Sequence, residues 1–198
     1  MNTTTDLKNL CSEYADKLSH VLASADWSSV VQLGKDIREC WLEGRQVFFC
    51  GNGGSAGNAI HLANDFLYGI AGCTGAGLKV QALSVNPAVI TCLANDVGYE
   101  CIFSEQLAVL AEAGDLLVVL SGSGNSPNII RVLEQANSMG VKSCAILGYT
   151  GGRCKSLAGS SIHFAVDDMQ IAEDMQLVVG HMLMQWLDQN QPGTKGQL

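Results

Sequence analysis

"FFCGNGGSAGNAIHLANDF", residues 48–66, begins as an apolar strand, passes through a glycine-rich turn and continues as a helix. A second stretch, "LLVVLSGSGNSPNIIRVLEQA" at 116–136, has the same order of strand, turn and helix. A short run that is apolar along its whole length is typical of a strand covered on both faces of a parallel sheet. In such folds ligands bind beyond the carboxyl ends of the strands. The two turns are therefore the expected site.

Further apolar runs complete the predicted sheet. The five candidate strands lie at 46–50, 78–84, 115–121, 142–148 and 161–166. Apolar residues at helical spacing predict helices at 5–24, 27–43, 55–68, 127–139 and 170–189, with helical segments at 87–95 and 101–112. We expect Asp26 to cap the second helix and Gly44 to end it. Strands that alternate with helices predict an α/β fold, a doubly wound five-stranded parallel sheet preceded by a helical hairpin.

The length, net charge and hydrophobic pattern of the chain limit the classes of protein to which it can belong. A length of 198 residues favours one domain, which we place at 1–190, with the hairpin at 1–44, the α/β core at 45–190 and a flexible tail at 191–198. The formal net charge of -8 argues against a nucleic-acid partner, because phosphate-backbone contacts need clustered cations. No apolar run is long enough for a transmembrane helix, and the N-terminus lacks the apolar region of a signal peptide.

The chain has eight cysteines, none of them in a CxxC pair and most of them in apolar segments. This pattern predicts buried, reduced thiols in a cytoplasmic protein rather than a disulfide framework or a metal site.

The first turn only loosely fits a dinucleotide site. Gly51, Gly53 and Ala56 match G-x-G-x-x-A, but that site also needs an acidic residue at the end of the second strand to bind the ribose. Here the second strand ends in "VQALSVNP", which has no Asp or Glu. No Gly-Lys-Ser/Thr follows the turn either, so the sequence disfavours a nucleotide P-loop as well.

The second turn indicates an anion site made of neutral donors. Ser121, Ser123 and Ser126 supply hydroxyls, and Pro127 suits the first position of the following helix. The start of that helix supplies N–H groups and the positive end of its dipole. The alternative is an ordinary polar turn, but three serines with two glycines favour the anion cradle. Ser55 of the first turn is placed to close on the same anion.

"GNGGSAGNAIHLANDF" together with "LSGSGNSPN" resembles the sugar isomerase (SIS) domain family and, within it, the phosphoheptose isomerases. The resemblance spans nearly the full length and includes "LANDVGYE" at 93–100 and the closing helix. It implies a flavodoxin-like SIS fold, a homotetramer, and conversion of sedoheptulose 7-phosphate to a heptose 7-phosphate through an enediol. The family's product serves surface polysaccharide and lipopolysaccharide biosynthesis.

Two pairs of polar residues are candidates for the chemistry. His61 and Asp65 are four residues apart and share one helix face, while Glu173 and His181 lie on the closing helix. Two imidazoles and two carboxylates suit a divalent metal. Taken alone, His61 and Asp65 equally fit a surface ion pair, and His181 fits a buried core histidine.

The resemblance assigns roles to these residues. It implies that Asp65 is the base and His181 its acid–base partner, and that His61, Asp65, Glu173 and His181 bind zinc or another divalent metal. The implied substrate contacts lie in turns and at helix ends: Asn52, Gly53, Ser55, Asn95, Asp96, Ser121, Gly122, Ser123, Ser126 and Glu173. For Asn52 and Asp96, a role in turn geometry is an equal alternative.

The sequence also departs from the family pattern. Asp65 stands where Glu is usual, Glu173 where Gln is usual and Gly122 where Thr is usual. Gln170 and Gln176 likewise stand where the family tends to have Asp and His. These departures leave open an isomerase for a related sugar phosphate or a metal-dependent variant of the reaction.

The sequence disfavours two other classes of function. Some SIS proteins bind a replication-initiator protein without catalysis, but the presence of His61, Asp65 and His181 disfavours this. A SIS lyase or a sugar-phosphate sensor is also disfavoured, since sensors usually carry a basic DNA-binding domain and this chain shows none.

Overall fold

The computed structural model describes residues 6–70 and 77–192, so Cys73 and part of the predicted tail, 193–198, lie outside the described residues. In chain order, the helices and strands are α1 (Leu7–Ser24), α2 (Ser28–Glu43), β1 (Val47–Gly51), α3 (Gly54–Asn64), β2 (Val80–Ala82), α4 (Pro87–Asp96), α5 (Ser104–Leu110), β3 (Leu116–Ser121), α6 (Pro127–Met139), β4 (Lys142–Leu147), α7 (Cys154–Leu157), β5 (Ser160–His163) and α8 (Met169–Gln189). A π-helical turn, Asp65–Gly69, follows α3, and a 3-10 turn, Tyr99–Cys101, precedes α5.

The five strands form one sheet in the order β2-β1-β3-β4-β5, and all neighbouring pairs are parallel. The predicted doubly wound α/β fold with an N-terminal helical hairpin is confirmed. Strand order reverses between β1 and β3, which makes this the switch point of a flavodoxin-like sheet. Gly51 of β1 lies opposite Leu120 of β3, so the two glycine-rich turns begin side by side.

The sheet separates two apolar cores. Side chains of one face, such as Phe49 and Val118, pack against α2, α3 and α8. Side chains of the other face, such as Phe48 and Val119, pack against α5 and α6. Every residue of β1 and β3 is buried, which explains why neither strand alternates between apolar and polar residues and why the first polar side chain of β3 is Ser121 at its carboxyl end.

Several element boundaries differ from the sequence prediction. β2 and β5 are edge strands that pair on one side only, and both are shorter than predicted. Phe164 and Val166, predicted as strand, still bond to Leu147 and Tyr149 but outside the regular ladder. The predicted helical segment at 101–112 is divided into the 3-10 turn and α5, and the short helix α7 was not predicted.

In the helical hairpin Gly44 ends α2 as predicted, but the N-cap of α2 is Trp27 instead of Asp26. Gly44 ends α2 in the left-handed conformation, at φ 67, where glycine carries no steric penalty. Asp26 lies one residue before the cap position, and its carboxylate accepts hydrogen bonds from the backbone N–H and hydroxyl of Ser28. Tyr14 and Lys17 join α1 to α8 by bonds to Asp174 and Asp168.

The described cysteines are free thiols, and five of these seven are buried. Burial raises the pKa of Cys40, Cys144 and Cys154 to about 11 and raises that of Cys50 further. A buried thiol that stays protonated is a poor nucleophile, so these residues act as small apolar side chains.

Helix α8 has 21 residues and crosses α3 at a close contact. Gly180 of α8 is buried, and a Cβ atom at this position would overlap the side chain of Leu62 on α3. The missing side chain therefore lets the two helices approach each other.

Among the described residues, no helix combines the length and the apolar character that crossing a membrane requires.

Substituting Gly180→Ala should lower the free energy of unfolding by about 1–3 kcal/mol, because the added methyl group overpacks the contact between α3 and α8. Urea denaturation monitored by circular dichroism measures this change. Gly57→Ala on α3 is the matched control, since a Cβ there meets no atom within 4 Å. It should be neutral or stabilising by up to about 1 kcal/mol, and equal losses for both variants would contradict the close-contact account.

Candidate active site

A cavity of about 260 Å³ lies at the switch point, beyond the carboxyl ends of β1 and β3. The first turns of α3 and α8 and the residue before α6 border it. Its lining residues are Asn52, Gly53, Gly54, Ser55, Leu120, Ser121, Gly122, Ser123, Ser126, Met169 and Glu173. These described residues include no lysine or arginine, so an anion bound here would be held by hydroxyls, amides and helix dipoles.

The turn after β3, residues 121–126, is shaped by its own serine hydroxyls. Ser121 Oγ accepts a hydrogen bond from the N–H of Gly124 at 3.0 Å, and Ser123 Oγ accepts one from the N–H of Asn125 at 3.3 Å. A hydroxyl that accepts in this way keeps its proton for donation to an anion. Ser126 occupies the cap position of α6, but its side chain makes no capping bond. All three hydroxyls are thus available to a ligand.

Ser55 reaches the same cavity from the first turn of α3. Its hydroxyl accepts a hydrogen bond from Nε2 of buried Gln176 at 3.0 Å, and Asn58 donates in turn to Oε1 of Gln176 at 2.9 Å. This chain of amides fixes the Ser55 hydroxyl. The sequence does not reveal that Gln176 supports Ser55, because the two residues are 121 positions apart in the chain.

Glu173 occupies the edge of the cavity. Its carboxylate lies so close to Gly54 that a Cβ at that position would overlap it, and Ser55 Oγ lies 3.4 Å from Oε1. The negative charge sits at the N-terminal turn of α3, where the helix dipole favours it. The carboxylate of Glu173 therefore occupies a position at the start of α3 that would also suit the anionic group of a ligand.

A second group of polar side chains lies farther along α3. His61 Nε2 is 3.1 Å from His181 Nε2 and 3.3 Å from Asp65 Oδ2, and His181 Nε2 is 3.7 Å from the same oxygen. The two imidazoles are about half exposed, whereas Asp65 is largely covered. The three donor atoms converge on one point from two helices.

The geometry of this cluster fits a divalent metal. Ligand atoms on a tetrahedral zinc at 2.0–2.1 Å are separated by about 3.3 Å, which falls within the observed range of 3.1–3.7 Å. The structure groups His61, Asp65 and His181 in this way. Glu173, the fourth predicted ligand, instead has its carboxylate at Gly54 and Ser55.

The backbone changes form at Asp65. The α-helical pattern of α3 ends at Asn64, and Asp65 begins the π-helical turn. Such turns are rare and frequently occur at functional sites. The sequence prediction of a continuous helix at 55–68 missed this change, for which the local residues give no recognised signal.

The side chain of Met169 explains why position 122, one of the departures from the family pattern, is a glycine. A Cβ at Gly122 would approach Met169 Sδ to 2.5 Å, so the thioether fills the space beside the turn that a larger residue would need. The cavity therefore has an apolar wall at this point. Met169 was not among the predicted site residues.

Asn52 is held by a partner that the sequence did not reveal. Asn52 and buried Asn128 exchange two amide hydrogen bonds of 2.8 Å each, which join the first turn to α6. Tyr99 also donates to Asn52 Oδ1 at 3.1 Å. The amide of Asn52 lines the cavity, and the paired amides lock the distance between the two turns.

Asn95 and Asp96, also predicted to contact substrate, lie at the end of α4 and outside the cavity lining. Both are exposed, and Asp96 accepts hydrogen bonds from Asn95 and from Cys92. These bonds hold the pKa of Asp96 below its usual value.

Comparison with known proteins identifies relatives. Residues 11–148 match the family model described as the SIS domain. The chain is 36% identical to the phosphoheptose isomerase of Akkermansia muciniphila over 159 residues, which is 80% of this chain and 84% of the relative.

Solved structures agree with this relationship. The structure of a phosphoheptose isomerase from Francisella tularensis is 27% identical and superposes with a TM-score of 0.87, covering 94% of this chain and 100% of that one. A phosphoheptose isomerase structure from Neisseria gonorrhoeae, 24% identical, has the same fold, with a TM-score of 0.85 and coverage of 93% and 100%.

The substitution Glu173→Gln should strengthen the binding of inorganic phosphate about tenfold. It removes a negative charge from the lining of the cavity, and that charge would repel the negatively charged phosphate. Isothermal titration calorimetry measures the affinity.

Asp174→Asn is the control for this change. It removes the same charge from the next residue, which faces α1 and accepts from Tyr14. Screening should limit its effect to less than about twofold. Equal strengthening by both variants, or none by Glu173→Gln, would show that Glu173 does not occupy the anion site.

Proposed function

This chain belongs to the SIS domain family, and we propose that it is the aldose–ketose isomerase that converts sedoheptulose 7-phosphate to a heptose 7-phosphate. The observation that carries the proposal is that α3 connects two sites. Its first turn borders a cavity of neutral anion donors, and its last turn carries His61, which lies beside Asp65 and beside His181 of α8.

The relatives support a seven-carbon substrate, since both the matching sequence from Akkermansia muciniphila and the matching structure from Francisella tularensis are those of phosphoheptose isomerases.

The cluster provides the proton transfers that isomerisation needs. Asp65 takes the proton from C1 of the ketose, and the electron pair of that C–H bond forms the double bond of the enediol. Asp65 then returns the proton to C2, while His181 moves the oxygen-bound proton from O1 to O2. Atoms and electrons balance without an oxidant, and the phosphoryl group held in the cavity fixes which carbons meet Asp65.

A divalent metal such as zinc fits the same cluster, with His61, Asp65 and His181 as its ligands. When bound, it would polarise the sugar's carbonyl and hydroxyl oxygens. The chain's own contribution is to hold the two imidazoles and the carboxylate in convergence, through the close packing of α3 on α8.

The proposal extends to the protein's setting. We assign it to the cytoplasm, as the cysteine pattern predicts, and to the supply of heptose for surface polysaccharide, as the family resemblance implies. Large apolar side chains on α1, α2 and α8 are exposed, among them Leu7, Val31 and Leu42. These surfaces support assembly as a homotetramer, which sedimentation analysis tests.

Hydrogen–deuterium exchange followed by NMR tests the reaction directly. Ketose phosphates of five, six and seven carbons are incubated with the protein in D₂O, with and without a chelator. We expect the fastest exchange, with aldose formation, for the seven-carbon substrate, because the matching relatives are phosphoheptose isomerases. Loss of exchange on chelation would assign the metal to the reaction.

Variants of Asp65 provide the control. Asp65→Asn should lower the exchange rate about 10²–10⁴-fold, the usual contribution of a general base, whereas Asp65→Glu keeps the carboxylate and should retain most of the rate. Asp16→Asn, an exposed change on α1, should have no effect. Full activity of Asp65→Asn, or the fastest exchange with a five-carbon sugar, would contradict the proposal.

A further inference from the structure

The turn at 121–126 is supported from the side of β4 by residues 148–153, which we call the brace loop. Gly124 of the turn lies against Gly151 and Gly152, and a Cβ on Gly124 or Gly152 would overlap the opposite backbone. The N–H of Arg153 donates to Asn125 Oδ1 at 3.0 Å, and the N–H of Cys154 donates to the carbonyl of Gly124 at 3.0 Å. The position of the turn therefore depends on the shape of the brace loop.

The brace loop holds an unfavourable backbone conformation. Tyr149 has φ 45, and among the described residues no other non-glycine has a positive φ. This region is sterically unfavourable for an L-residue, because Cβ comes too close to the neighbouring carbonyl oxygen. A conformation of this kind persists only where neighbouring groups hold it in place.

His163, at the end of β5, supplies one of these restraints. Its Nε2 lies 3.0 Å from the carbonyl oxygen of Tyr149, which can only accept, so this nitrogen carries the proton. Its Nδ1 then accepts from the ammonium of Lys155 at 3.1 Å. The N–H of Tyr149 is bonded to Val166 at 3.0 Å, so both peptide groups of Tyr149 are fixed by β5 and the residues that follow it.

We infer that His163 is a positioning residue for the phosphate-binding turn: it holds the brace loop in its strained form, and the loop holds the serine hydroxyls of the turn. The inference rests on the proposed function, in which this turn binds the phosphoryl group. No atom of His163 lines the cavity, so its effect passes through Tyr149, the brace loop and Asn125.

Calorimetric titration with inorganic phosphate tests the inference. His163→Ala should weaken phosphate binding about fivefold, as expected for the loss of one hydrogen bond of about 1 kcal/mol. In the isomerase assay the KM should rise by a similar factor while kcat stays within about twofold, because the proton-transfer cluster is untouched. His163→Gln carries an NH₂ group that can donate to the carbonyl of Tyr149 and a carbonyl oxygen that can accept from Lys155, and it should restore the affinity.

A double-mutant cycle with Tyr149→Gly separates positioning from general stability. Glycine adopts a positive φ without strain, so His163→Ala should cost less than about twofold in phosphate affinity in the Tyr149→Gly background. An equal loss in both backgrounds, or a lowered melting temperature with unchanged phosphate affinity, would overturn the positioning role. A wild-type protein with no phosphate affinity would overturn the proposed function as well, whereas binding by the wild type and His163→Ala alike would overturn this inference alone.

Discussion

The parallel pairing of β1 with β3 is the constraint on which the site depends. Because the strand order reverses between them, the chain leaves both strands at the same edge and enters two helices whose N-termini face one cavity. The reciprocal amide bonds of Asn52 and Asn128 then fix the separation of the two turns. Without this pairing, the serines of one turn and Ser55 of the other would not meet.

The proposed anion site has no lysine or arginine among the described residues that line it, and this has consequences for its surroundings. The chain carries a net charge of -8, and Glu173 adds a carboxylate at the cavity itself. Hydroxyls and helix dipoles are modest donors individually, so their effect depends on being held in place before the ligand arrives. The network around Ser55, the paired asparagines and the brace loop provide this preorganisation through short hydrogen bonds.

The sequence predicted the sheet and the position of the candidate cavity well where the signal is local. β1 and β3 are buried on both faces, so their apolar character marked them clearly, and the serines and glycines of the turns marked the cavity. The edge strands β2 and β5 were less well predicted, because one-sided pairing lets them end early. The position of Glu173 depends on the absence of a side chain at Gly54, a contact between residues far apart in the chain. Asn128 and His163 likewise act through partners that only the folded chain brings near.

The crystal structure of this protein soaked with sedoheptulose 7-phosphate tests the central claim most directly. The account predicts that the phosphoryl oxygens lie within hydrogen-bond distance of Ser121, Ser123 and Ser126, with C1 and C2 of the sugar beside Asp65. A ligand whose phosphoryl group lay outside this cavity, or whose sugar extended away from Asp65, would contradict it.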